Sequence, residues 1–264
     1  MIAHPETKKC LIVVRTYLSP ATSGNEGSCT AAITEDGKWL RLFPIAYRFL
    51  SKDQKFRKYD WIQCLVTKAK TDNRPESYRL QDNSIKVLPC HISTANHWEA
   101  RKQLIFPLRK HCLCCIAKER NEKGYPTLGL FRPKTIKRLI IESDTPNWSE
   151  DQLRKLRQTD FFKTNPKTEL EKIPFNFKYE FSCDESLCNG HTITCVDWEM
   201  GQSWRRWKRQ YGEGWKDKFR QKYEAEMIEK NETHFYVGTV HRYPATWIIV
   251  GLFYPPKTLQ ELLF

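Results

Sequence analysis

The sequence predicts a mainly β protein with helices, an α+β chain of two OB-like small β-barrel domains, the second carrying a long helical insertion. Three observations carry this expectation. β-branched runs separated by turn signals fill residues 10–89. One long amphipathic helical pattern stands at 197–230. Around that helix the second half reads strand, strand, strand, helix, strand, strand, the element order of the OB fold, a Greek-key barrel that binds oligonucleotides and oligosaccharides.

The elements follow in chain order. "CLIVVRTYL" at 10–18 is a β-branched run. "SCTAAIT" at 28–34 and "KWLRLFPI" at 38–45 flank "EDGK", whose Asp36-Gly37 pair is a hairpin signal. "DWIQCLVTKAK" at 60–70 and "NSIKVLP" at 83–89 are two more strands, with a polar loop around Pro75 between them. Ser93 is placed to cap a helix running to about Leu104, stopped before Pro107. A short helix at 149–158 opens on a capping box, Ser149 with Gln152. The closing strands are "KRLIIES" (137–143), "IPFNFKYEFSC" (173–183), "HTITCV" (191–196), "HFYVGTV" (234–240) and "TWIIVGLFY" (246–254). Gly212 and Gly214 break or bend the long helix.

A short internal repeat supports two related domains. "GLFRPKTIKRL" from Gly129 matches "GLFYPPKTLQELL" from Gly251, and each follows a β-like run opening on histidine, "HCLCCIAK" and "HFYVGTVH". These matches set the expected domains at 1–136 and 137–264.

Composition bounds the function. A hydrophobic content of 40% in 264 residues builds cores and excludes a disordered chain. No apolar run approaches the roughly 18 residues of a membrane helix, and the N-terminal residues show no secretory signal. The ten cysteines of a leaderless chain then read as reduced thiols, so the expected location is the cytoplasm. Lys and Arg number 44 against 31 acids, a formal charge of +13. Such a surplus favours a polyanion, nucleic acid before an anionic membrane.

Three constellations carry chemistry. "FSCDESLCNGHTITC" holds Cys183, Cys188, His191 and Cys195, thiols and an imidazole suited to zinc. A strand over 191–196 separates His191 from Cys195 by about 13 Å, too far for one ion. Cys183, Cys188 and His191 gather around the Asn189-Gly190 turn instead, and a fourth ligand comes from elsewhere, for example Cys112, Cys114 or Cys115. Such a zinc is structural; the alternative leaves Cys183 and Cys195 as small core residues.

The second constellation is the stripe Trp204, Trp207, Tyr211, Trp215, Phe219 and Tyr223, on one helical face. The aromatics are expected to pack on the barrel. Arg205, Arg206, Lys208 and Arg209 between them are candidates for phosphate contacts, joined in the first domain by Arg41, Arg48, Arg57 and Lys58. The third is Asp197-Trp198-Glu199 near His191. It suits a metal-dependent nuclease or nucleotide hydrolase, yet acids at that place also cap a helix. No P-loop, dinucleotide fingerprint, nucleophile elbow or HExxH motif is present. No catalytic residue is assigned, and a non-enzymatic reading leads.

"SCTAAITEDGKWLRLFPIAYRFL", "DNRPESYRL", "CNGHTITCVDWE" and "HFYVGTVHRYPATWIIVGLFY" together resemble prokaryotic dual OB domain-containing proteins. The resemblance implies two OB-like domains and a nucleic-acid-binding role in defence or mobile-element systems, with Cys188, Gly190 and His191 in the recurring motif. It supplies no catalytic residues. The expected function is therefore an accessory protein that binds single-stranded DNA or RNA through its backbone, with other protein subunits as partners and no membrane. The alternatives are the hydrolase using His191, Asp197 and Glu199, or a scaffold subunit for an acidic protein.

Overall fold

A computed structural model of the chain describes residues 4–20, 26–160 and 170–258. Two compact units emerge, one of residues 1–92 with 144–174, the other of 93–143 with 175–264. The expected division at 136/137 follows the repeat; packing instead gathers 93–136 with the second unit and 144–174 with the first.

In the first unit the barrel strands are β1 (Glu6–Arg15), β3 (Glu26–Thr34), β4 (Trp39–Ile45), β5 (Asp60–Lys68) and β6 (Ser77–Leu80). A two-residue β2 (Ser19–Pro20) pairs with β3, and β7 (Lys86–His91) with β5. The ladder runs β1-β3-β4-β6-β5 and closes because β1 also pairs with β5. Residues 6–11 of β1 face β5 and residues 10–15 face β3, with a register shift between Ile12 and Val14 where the strand changes partner. β4 and β6 are parallel. One long first strand shared by two partners and a parallel third–fifth pair give the OB barrel order. Its interior is filled by Cys10, Ile12, Leu40, Leu42, Phe56, Ile62, Cys64 and Val66 among others. The Asp36-Gly37 hairpin forms as expected, with Gly37 at φ +73. β6 lies in the polar stretch read as a loop. α3 (Glu150–Asp160) opens on the expected capping box, in which Gln152 N donates to Ser149 Oγ (3.3 Å) and Ser149 N to Gln152 Oε1 (2.9 Å).

The second unit repeats the order with its first strand broken. β9 (Leu128–Phe131) pairs with β13 (His234–Thr239), and β10 (Thr135–Ser143) pairs with β11 (Phe175–Ser182). Residues 132–134, with Pro133, separate the two halves. β11 pairs with β12 (His191–Cys195), β12 runs parallel to β14 (Trp247–Phe253), and β14 pairs with β13. The "GLF" copies therefore occupy different strands of one barrel. They flank β13, Gly129 opposite Val237 and Gly251 opposite Tyr236. "HCLCCIAK" is no strand either: α2 (Leu113–Lys123) starts there, with the Cys112 thiol capping its first turn by accepting from Cys115 N, and Gly124 at φ +78 ending it. A two-residue β8 (Arg109–Lys110) adds to β9.

The long helix spans α4 (Trp198–Tyr211), a 3-10 turn at Gly212–Gly214, α5 (Trp215–Arg220), a π-helical turn at Gln221–Ala225 and α6 (Glu226–Glu229). Four of its six stripe aromatics are core, Trp204, Trp215, Phe219 and Tyr223, with Phe219 stacked on Phe177 at 4.4 Å and Trp215 meeting Phe175 at 4.8 Å. Trp207 is half-buried, and Tyr211, expected to pack on the barrel, is exposed because it ends α4 where the chain turns at Gly212. The π turn presents Glu224 to β10, where its carboxylate accepts from Leu139 N (2.8 Å) while Arg220 donates to Leu139 O (3.0 Å). α1 (Ala95–Ile105) departs from the regular helix expected after Ser93. Asn96, His97 and Trp98 have φ of +50, +52 and +66, a left-handed turn that costs about 1–2 kcal/mol per residue. Trp98 is held there against Phe253 and Tyr254, at 5.4 and 5.2 Å. Among the described residues no helix is long and apolar enough to cross a membrane.

Candidate functional site

The sequence brings three ligands to one corner, and the fold delivers a fourth. Cys183 follows β11, Cys188 lies in the loop, and His191 opens β12 opposite Phe181. Gly190, at φ +88, lets the chain turn sharply between them. α2 sets Cys114 against this corner. The Sγ atoms of Cys114, Cys183 and Cys188 lie 3.3, 3.4 and 3.4 Å from His191 Nε2. All four donor atoms are within 4.8 Å of one another. Tetrahedral zinc with ordinary bond lengths sets such sulfur–nitrogen pairs about 3.5 Å apart, so the set can hold a metal ion. Cys195 is outside it, buried at the other end of β12 beside Ile249.

Burial and the closeness of the thiols shape the local electrostatics. Burial, then the neighbouring Cys183 and Cys188, push the Cys114 thiol well up. Burial also raises Cys183 and lowers His191. Burial works against the Cys188 thiolate too, but the backbone amides of Cys183 and Gly190, 3.3 and 3.4 Å from its sulfur, leave Cys188 lowered on balance. A second group, Cys112, Cys115 and Glu185, lies on the same two elements.

The hydrolase triad does not assemble in this way. Asp197 is buried at the N-cap of α4, its Oδ1 accepting from Glu199 N (2.6 Å) and its Oδ2 from Leu252 N (3.1 Å). It ties the helix to β14. Neither Asp197 nor Glu199 joins a metal-competent group among the described residues.

The candidate cations divide by burial. Arg41 is enclosed and paired with Glu76 at 3.3 Å, because the parallel pairing of β6 with β4 sets Glu76 beside it, where Arg41 N donates to Glu76 O. Lys58 is buried beside Tyr59, and Arg48 is half-buried. Arg57 is exposed and meets Asp60 at 3.4 Å. On the helix, Arg205 is half-buried and Lys208 pairs with Glu213. Arg206 and Arg209 are exposed, and with Lys218 they form no ion pair among the described residues. Lys218, outside the eight cations expected to make contact, lies over the ring of Tyr211 at 5.9 Å, and Arg206 over Trp207 at 5.4 Å. Tyr211 itself is 41% exposed.

Residues 109–264 match the model of a domain of unknown function, DUF8757. The chain belongs to the DUF8757 family. Its matched segment contains all four candidate ligands and the helix α4–α6. Residues 6–107 match a second domain of unknown function, DUF8758, which covers the first barrel. No curated protein matches the DUF8757 chain. Among solved structures it is similar to the tetrameric p202 HIN2, at 7% identity and a TM-score of 0.33 over 97% of this chain and 94% of that one. That likeness is too loose to bear on function.

Proposed function

We propose that this chain is a nucleic-acid-binding accessory protein that holds single-stranded DNA or RNA by its backbone, as a subunit of a prokaryotic defence or mobile-element complex. One observation carries the reading: exposed cations paired with aromatic rings, Lys218 over Tyr211 and Arg206 over Trp207, on the outer face of the helix that covers the second barrel. Cations that meet phosphates beside rings that stack on bases are what a single-strand binder needs. The net charge of +13 and the OB strand order support it.

In this reading the Cys114–Cys183–Cys188–His191 set holds a structural zinc. Four protein donors close the coordination sphere, as structural sites do. The metal clamps α2 to the β11–β12 corner. Asp197 caps and tethers, which accounts for it without catalysis.

The test is binding of a labelled single-stranded oligonucleotide across a salt series. Affinity is expected to fall with a log–log slope of about −0.7 per phosphate engaged. Arg206→Glu with Arg209→Glu is expected to weaken binding about tenfold at low salt, with an unchanged melting temperature. No binding at low salt would overturn the reading.

A further inference from the structure

Away from the metal corner and the outer helix face, the second unit gathers charge around one buried carboxylate. Glu232 precedes β13. Arg132 approaches it at 3.4 Å from the break between β9 and β10. Arg109 approaches at 3.7 Å from β8, and Lys102 at 3.9 Å from α1. Among the described residues these three cations share Glu232 as their carboxylate partner.

His234 completes the group without adding charge. Its Nδ1 lies 2.9 Å from Glu232 O, an acceptor, so the ring proton sits on Nδ1. Nε2 is then a lone pair, 3.4 Å from Arg109 NH1 and 3.5 Å from Glu232 Oε1. Three cations against one carboxylate leave two positive charges uncompensated. Phe106 and Phe253 wall the group, with ring centroids 5.1 and 5.9 Å from His234, and the Arg109 guanidinium lies over Phe106 at 4.9 Å. Arg109 and Arg132 nevertheless keep 42% and 47% of their side chains open to solvent.

A structural ion pair needs one cation per carboxylate. Two half-exposed guanidinium groups held in place by a carboxylate, a neutral imidazole and a ring are instead prepared for an anion arriving from outside, and guanidinium groups suit phosphate oxygens bidentately. A second, independent feature marks the place. α1, which supplies Lys102, begins with the left-handed turn 96–98, and such strain persists where the surroundings hold it and clusters at functional sites.

We infer that Arg109, Arg132 and Lys102, arranged around Glu232, form a subsite for one phosphate group of the bound strand. This rests on the nucleic-acid reading and gives it a defined contact on the β9–β13 side of the barrel, apart from the α4–α5 face.

The experiment compares the wild-type chain with Arg132→Gln and Glu232→Gln in the same oligonucleotide salt series, recording melting temperatures in parallel. Arg132→Gln is expected to bind about tenfold more weakly, with a slope shallower by about 0.7 for the phosphate lost. Glu232→Gln removes the competing carboxylate and is expected to bind more tightly at low salt. Opposite signs are what a merely structural cluster would not produce. If both variants weaken binding together with a falling melting temperature, the subsite is wrong. If the wild type binds and neither variant changes affinity or slope, the subsite is again wrong while the nucleic-acid reading stands. If the wild type does not bind, both fall.

Discussion

His234 is fully enclosed, and its ring answers to the charges around it. Burial first, then Arg109, Arg132 and Lys102, push its pKa down from 6.5 to about 3, against the pull of the Glu232 carbonyl. The unfolded chain protonates this ring near pH 6.5 and the folded chain does not. Stability from this group is therefore present above about pH 6.5 and is lost as pH falls towards about 3. Between pH 7 and pH 5 the loss is about 2 kcal/mol. Urea unfolding followed by tryptophan fluorescence should show the wild type losing that much more than His234→Gln over the same interval; parallel curves would refute it. Single residues also mark the limit of the sequence. Arg41 and Arg206 are the same residue type, and both are candidates for phosphate contacts in the sequence. The pairing of β6 with β4 sets Glu76 beside Arg41, which is enclosed, and that neighbour belongs to tertiary structure.

At the scale of elements, most strands were legible because they carry β-branched residues between turn signals, while β6, SYRL, carries none and falls in the stretch read as a loop. The helical stripe was legible because its aromatics recur at three and four residues. For a fourth donor the sequence offers Cys112, Cys114 and Cys115 as examples and does not choose among them. "HCLCCIAK" is an apolar run without period, which suits helix and strand alike, and only as helix α2 does it set Cys114 against His191. Two tests belong here. Protein purified without a histidine tag is expected to carry about one zinc per chain. Cys114→Ser should lose it and Cys195→Ala should keep it, read by elemental analysis; equal metal content in the two variants would refute the ligand set. The second concerns β10. On the side away from β11, Leu139 has its N–H taken by Glu224 and its carbonyl by Arg220, so the helix covers the strand edge. Glu224→Ala leaves that buried amide without its acceptor and is expected to cost about 1–3 kcal/mol in chemical denaturation. Glu224→Gln, which keeps an acceptor oxygen, should cost less.

At the scale of the whole molecule, the chain passes between its two packing units at 92/93, 143/144 and 174/175. A cut that looks natural in the sequence therefore severs both. Residues 137–264 would lack β9, whose four buried residues pair with β13, and α2, which carries Cys114. The same fragment would keep 144–174 without the first barrel it packs with. There Leu156 and Leu170 are buried, Trp148 donates to Leu170 O, and Tyr17 of the first barrel donates to Glu171 O. Exposing β13 along one edge opens an unpaired row of backbone groups beside Phe235 and Val237, a site for aggregation. The fragment 137–264 is thus expected to bind far less than one zinc, to be cleaved rapidly by protease within 144–174, and to show no cooperative unfolding. The full chain should unfold cooperatively and resist the same protease. A cooperative transition in the fragment with a full equivalent of zinc would mean that neither β9 nor Cys114 is needed, and the broken first strand would not be the closure of the second barrel.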